Sequence, residues 1–227
     1  MSLTLYAHPF SSYCQKVLIA LYENETPHTV RLLGADAQIN REFEALWPVK
    51  LMPILVDGDV HSPSSERRTV AESSIIIEYL GLHHAGHVRL IPLDPKEALE
   101  VRFMDRFFDN HVMKPMQDIV SQHMRPLGNR DAQAIANSHA KLEPAYRWLD
   151  ERLADGRQWA AGGGFSLADC AAAPALFYAD WTHPIDEAFG HLLAYRRRLL
   201  ARPSFSRAVD EARPYRGFFP PGAPNRD

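Results

Sequence analysis

The sequence is poor in the residues that staple small folds: only two of its 227 positions are cysteine, Cys14 and Cys170, far apart in the chain. That scarcity excludes a disulfide framework and a four-thiolate metal site, and it fits a reducing compartment. Long hydrophobic runs are also missing. The longest, Leu167 to Ala179, is interrupted by Asp169 and falls short of the roughly 20 residues a spanning helix needs. Met1 to Pro9 has no basic start and reads directly as an alternating strand, so no signal peptide, no membrane partner and a cytoplasmic location are expected. Charge of one sign is scarce as well, with a formal net of -3. The one imbalance lies between Tyr195 and Asp227, where eight arginines face three acids; a solvated or internally matched helix face is the reading adopted, and no nucleic-acid partner is expected.

What is present is a folded chain, 46% hydrophobic and 23% charged. A chain of this size buries roughly 70% of its unfolded surface, enough for one large domain or two modest ones. Leu3, Leu5 and Ala7 alternate with Thr4 and Tyr6 as in a strand that His8-Pro9-Phe10 ends. Cys14, Val17, Leu18 and Leu21 then repeat at helical spacing behind Ser11 or Ser12 as cap, so Cys14 reads as core packing. Pro27 to Leu33 suggests a second strand and Ala35 to Leu46 a second helix. Met52 to Val56 leads into Asp57-Gly58, a hairpin dipeptide that implies an antiparallel strand pair. His61 to Arg68 reads as an inserted loop. Glu72-Ser73-Ser74 opens a helix that Gly81 should end. The order is β-α-β-α-β-β-α.

After His83 the strand-like alternation ceases, and a second, all-helical domain follows. The boundaries expected are 1–82, a linker at 83–94, and 95–227 with a frayed tail at Pro220 to Pro224. Asp94-Pro95 starts a helix with Val101, Met104 and Phe108 on one stripe and Phe103, Phe107 and Asn110 on another; Pro115 should kink or break it. Further helices are expected at Asp131–Leu153, Ser166–Asp180, Asp186–Leu200 and Ser204–Ala212. Ser166-Leu167-Ala168-Asp169 is a capping box that serves folding. His83, His84 and His87 read as solvated linker residues, and no metal site is expected.

Ser11-Ser12-Tyr13-Cys14 occupies the turn between the first strand and helix, where unpaired amides and the positive helix end favour an anion such as a thiolate. On local sequence alone, plain helix capping serves these serines equally well. At this point the chain resembles the cytosolic glutathione transferase family, in particular its serine-type and bacterial members. The resemblance is carried by Leu5-Tyr6 through Ser11-Ser12-Tyr13-Cys14-Gln15-Lys16-Val17, by Lys50 to Leu55, by Glu72 to Leu80 and by Phe165 to Asp169. It implies a thioredoxin-like amino-terminal domain with a mixed sheet, an all-α carboxy-terminal domain, a homodimer, and glutathione as co-substrate.

Carried over by position, Ser11 matches the serine that donates to the glutathione sulfur, with Ser12 its nearest competitor. Cysteine stands at Ser11 in the relatives that form mixed disulfides, so dithiol chemistry is not expected here. The tyrosine used by other members falls on Ala7, and Tyr6 is one residue off. Pro53 matches the cis-proline that presents the Met52 backbone to the cysteinyl unit. Lys50 stands where a side chain often meets the glycyl carboxylate, or is a solvated surface lysine. Glu72 and Ser73 match the γ-glutamyl site. A hydrophobic electrophile would lie between the domains against Phe10, Phe107, Asn110, His111 and Met113, with Phe218 and Phe219 as further candidates. The function implied is attack of the thiolate on that electrophile. The alternatives are glutathione-dependent isomerisation of the zeta type, against which Tyr13 and Lys16 replace that class's cysteine and arginine, and a non-catalytic glutathione-binding or protein-interaction module.

Overall fold

The computed structural model describes residues 2–58 and 67–227, in two compact units that divide between Ile91 and Pro92. The first unit runs β1 (Leu3–Ala7), α1 (Ser12–Glu23), β2 (Thr29–Leu32), α2 (Ala37–Leu46), β3 (Ile54–Asp57), β4 (Arg68–Ala71) and α3 (Ser73–His83). Its sheet has the order β2-β1-β3-β4. β1 and β2 are parallel, joined through α1, while β1–β3 and β3–β4 are antiparallel. β1 is buried along its whole length, so the alternation of Thr4 and Tyr6 with leucines marks two covered faces and not one wet face. Tyr6 sits in a core cluster with Leu33, Phe43, Ile54 and Val56, and its hydroxyl donates to Glu42 at 3.3 Å.

Several boundaries differ from the sequence reading. β3 starts at Ile54 and not at Met52, because Pro53 has no amide to give a ladder. Asp57 pairs with Arg68 across the antiparallel pair, so the strands are not closed by a two-residue turn; Arg68, read as loop, is the first residue of β4. Residues 61–66 of that stretch lie outside the described residues. α3 passes through Gly81 and ends with the His84 amide on the Leu80 carbonyl at 2.8 Å. The stretch read as linker is fastened to the first unit by Asn24, whose side chain accepts from the Val88 amide at 2.7 Å and donates to its carbonyl at 3.0 Å.

His84 is no solvated linker residue. Its Nε2 lies 2.6 Å from Asp57 Oδ2, which also accepts from the Tyr79 hydroxyl at 2.8 Å, tying the end of β3 to the end of α3. Burial pushes the Asp57 carboxyl up, but the bonds from His84 and Tyr79 outweigh it and leave the group below the usual carboxylate range. A depressed acid contributes stability above its unfolded pKa, about 4, and loses it as pH falls through the lower folded value. Asp57→Asn should therefore lower the denaturant midpoint at pH 7, and the gap from the wild type should shrink progressively below about pH 4. A gap constant from pH 7 to pH 3 would show that the ionised carboxylate contributes nothing there.

The second unit contains α4 (Pro95–Phe107), a π-helical segment (Phe108–Met113), α5 (Lys114–His123), α6 (Ala132–Leu153), α7 (Leu167–Thr182), α8 (Gly190–Leu200) and α9 (Pro203–Ala212). Short 3-10 turns follow α5 at Leu127–Asn129 and α9 at Arg213–Phe218. Every residue of α7 from Leu167 to Trp181 is buried, so the longest apolar run of the sequence is the central helix of this unit. Among the described residues no helix is long and apolar enough to cross a membrane. The break expected at Pro115 takes the form of the π-helical segment just before it, a widened turn that accommodates the amide bond proline cannot make. α8 begins at Gly190 and not Asp186: the Asp186 side chain accepts from the Ala188 amide, and Asp150 of α6 accepts from Leu192 N within the first turn of α8.

The tail read as frayed is pinned. Phe219 is buried, with its ring 5.2 Å from that of Trp181 and 6.0 Å from that of Tyr178. Arg226 pairs with buried Asp180, donating to its carboxylate and, at 2.9 Å, to its carbonyl. Asp227 accepts from Arg213 at 2.6 Å and Arg216 at 3.0 Å, and Arg196 meets Asp180 at 3.1 Å. Four of the eight arginines of this region are thus paired inside the chain.

Candidate active site

The turn from β1 into α1 is held from three sides. The Ser11 amide donates to the His8 carbonyl at 2.9 Å, the Phe10 amide to His8 Nδ1 at 3.2 Å, and the Gln15 side chain to the Pro9 carbonyl at 3.0 Å. Burial pulls the His8 imidazole below its ordinary value, so at neutral pH the ring is uncharged and Nδ1 can accept. In the sequence His8 reads only as a strand terminator, and Gln15 gives no sign of a role in holding the turn. Ser11 is the N-cap residue of α1, partly exposed, and its side chain makes no capping bond. Ser12 is 5% exposed. Of the two hydroxyls, Ser11 is the more accessible to a ligand.

Cys14 is fully buried, as expected for core packing. Burial pushes its thiol up to about 11 against hydrogen bonds from the Ser11 side chain and the His8 backbone, so it is protonated at neutral pH and is no nucleophile. The cysteine of this segment therefore offers no dithiol chemistry.

The start of α3 is the second notable helix end. Glu72, its N-cap, is exposed, has left-handed backbone geometry with φ 69, and gives no side-chain cap. The starts of α2, α4 and α6 are capped by Asp36, Asp94 and Asp131, and α7 by its Ser166–Asp169 box. α1 and α3 lack a capping side chain, as do α5, α8 and α9, and a helix start of this kind can receive an anion. Ser73 is buried at the first position of α3. The Met52–Pro53 peptide is cis, and Met52 lies just outside the ladder, whose end pairs are Tyr6↔Ile54 and Ile54↔Ala71. Lys50 has φ 59 and an exposed side chain paired with Glu44 at 2.8 Å.

Phe10 belongs to the first unit, and Phe107, Asn110, His111 and Met113 to the second. Phe107 stacks on Trp148 with centroids 4.4 Å apart and lies 5.1 Å from His111, while Asn110 and His111 are exposed. Met113 and Phe219 are buried core residues, whereas Phe218 is exposed. Among the described residues no group of three or more His, Cys, Asp or Glu could hold a metal ion.

A four-stranded mixed sheet with a cis-proline before β3, followed by an all-helical unit, defines a thioredoxin-like domain joined to a helical domain. One family model falls in each unit: the glutathione S-transferase N-terminal domain matches 5–87 and the C-terminal domain 132–198. The chain belongs to the glutathione S-transferase family. It is 28% identical over 223 residues to a probable maleylacetoacetate isomerase of Vibrio cholerae, covering 94% of this chain and 98% of that one. A crystal structure of a glutathione S-transferase from Methylobacillus flagellatus with glutathione bound superposes with TM-score 0.77 at 26% identity, covering 91% of this chain and 98% of that one. Another, from Methylobacterium radiotolerans in complex with glutathione sulfonate, gives TM-score 0.75 at 27% identity, covering 92% and 95%.

Proposed function

We propose that the protein is a glutathione transferase in which the Ser11 hydroxyl donates to the glutathione sulfur and holds it as a thiolate. The observation that carries this reading is Ser11, partly exposed at the start of α1, whose side chain does not cap the helix and bonds to the Cys14 thiol. A hydroxyl donor together with the helix end favours the anion. The γ-glutamyl carboxylate would take the amides at the start of α3, with Ser73 donating and Glu72 meeting the ammonium. The Met52 backbone beside cis-Pro53 would hold the cysteinyl unit, and Lys50 would reach the glycyl carboxylate by exchanging it for Glu44. The thiol proton leaves to solvent; the sulfur lone pair then forms a bond to an electrophilic carbon as its leaving group departs or its ring opens.

Phe107, Asn110 and His111 of the second unit are proposed to face the electrophile. Exposed Ile75 and Leu82 on α3, and Leu99 and Phe103 on α4, favour a homodimer that covers them. The two buried free cysteines favour a cytoplasmic location. The similarity to the Vibrio isomerase favours one second reading, glutathione-dependent cis–trans isomerisation, in which the thiolate adds reversibly to a conjugated double bond. Assay of the purified protein with glutathione against halogenated arenes, epoxides, isothiocyanates, peroxides and maleylacetoacetate separates these. Turnover of the first group supports transfer, turnover of maleylacetoacetate alone supports the isomerase, and glutathione binding without any turnover contradicts both in favour of a binding module.

A further inference from the structure

Two histidines of the second unit face each other where α6 meets the end of α7. His139 Nδ1 lies 3.2 Å from His183 Nδ1, with the ring centroids 5.2 Å apart. His183, the C-cap residue of α7, is also held from behind. Its amide donates to the Ala179 carbonyl at 2.7 Å, its carbonyl accepts from the Tyr146 hydroxyl at 3.1 Å, and its Nε2 lies 3.5 Å from Glu143 Oε2. The Tyr146 ring stacks on the imidazole with centroids 5.8 Å apart, and burial pushes its hydroxyl well above the ordinary value, so it remains a donor. The other charged and titratable groups around the pair come from four helices. His123 of α5 acts on His139, Arg147 of α6 lies 3.5 Å from Glu143, and Asp180 of α7 and Arg196 of α8 act on Tyr146. Asp180 also accepts from the Ile185 amide at 2.9 Å, which closes the turn after His183.

A hydrogen bond between two Nδ1 atoms holds one proton and no more: one ring donates and the other must accept, which an imidazolium cannot do. A singly charged pair keeps the bond. Two imidazolium rings would each aim an N–H at the other and set like charges at contact distance. Burial, and then the charges of His183 and His123, pull the His139 imidazole below its ordinary value. Glu143 offsets at most one charge and is shared with Arg147. Because Tyr146 and the Ala179 carbonyl fix the His183 backbone, the clash is relieved only if the end of α7 moves off. We propose that His139 and His183 form an acid-sensitive clasp, which holds the end of α7 to α6 while the pair carries no more than one charge and releases it when both rings are protonated. A histidine lowered by the fold contributes stability that is complete above its unfolded value, near 6.5, and is lost as pH falls toward the lower folded one.

The test is amide hydrogen exchange of the full chain at pH 7 and pH 5, each rate corrected for the intrinsic effect of pH. Protection of the His183 and Ile185 amides should fall about tenfold at the lower pH, while that of Ala171 to Ala175 in the middle of α7 holds. His139→Asn and His183→Asn each keep a short polar side chain that takes no proton, so in both variants the two amides should exchange alike at pH 7 and pH 5. Imidazole titration of the wild type by NMR checks the same point without a variant: the pair should protonate in two separated steps, the second below the ordinary value near 6.5. Protection of His183 and Ile185 unchanged from pH 7 to pH 5, a fall that persists in both asparagine variants, or two independent titrations near 6.5 would each overturn the proposal.

Discussion

Ser11→Ala is expected to reduce kcat/KM for thiol addition at pH 6.5 by about 50-fold, because a thiol restored from about 6.5 to its free value near 8.5 falls from about half ionised to about 1% ionised. The loss should fade as pH rises, with the variant's rate climbing through about pH 8.5 while the wild type has already reached its plateau. Ser12→Ala should stay within about threefold of wild type at every pH, since its hydroxyl is buried at the first helical position while Ser11 is open to a ligand. The pH profile matters more than the single rate. A variant slowed equally at all pH values would have lost positioning, not thiolate stabilisation. A reversed ranking, with Ser12→Ala the slower, would move the donor by one residue.

The second large effect concerns the helical unit. Asp169 is fully buried at the start of α7. It accepts from the amides of Ala160 and Ser166 at 2.9 Å each, from the Ser166 hydroxyl at 3.0 Å and from the Tyr195 hydroxyl at 2.6 Å. One carboxylate thereby closes the capping box, anchors the loop before it and ties α8 to α7. Alanine would leave these donors buried without an acceptor, at about 1–3 kcal/mol for each that water cannot reach, on top of about 1 kcal/mol for the cap. Allowing for partial relaxation, Asp169→Ala should cost about 3–5 kcal/mol and lower Tm by about 10 °C. Asp169→Asn, which keeps the shape and part of the accepting capacity, should fall between. A Tm shift under about 2 °C in the alanine variant would show that the loop repacks freely and that the network contributes little.

What the sequence revealed follows the range of the interactions involved. The strand at Leu3–Ala7, the helix behind Ser11, the caps at Asp94 and Asp131 and the Ser166–Asp169 box are set by neighbours a few positions apart, and period or spacing exposes them. The cis bond before Pro53 was legible only through the family resemblance, because a proline at a strand start reads the same in either isomer. Features closed over long separations were hidden. Asp57 meeting Tyr79 and His84, Asn24 clamping Val88, Asp180 receiving Arg226, and Lys16 reaching Ser74 each join segments whose proximity the fold alone creates. Gly81 misled for a related reason: a glycine ends a helix only where a left-handed turn follows, and α3 continues instead. The candidate site divides in the same way. Ser11 and Ser73 announce themselves as helix-start residues. That neither Ser11 nor Glu72 caps its own helix, and that Glu72 is left-handed, required the structure.

If the protein ionises a bound thiol through Ser11, titration of the ultraviolet thiolate band of glutathione in its complex with wild type and with Ser11→Ala will give different midpoints. The bound thiol should have a pKa of about 6.5 in wild type and about 8.5 in the variant. A bound thiol that titrates near 8.5 in both would contradict it.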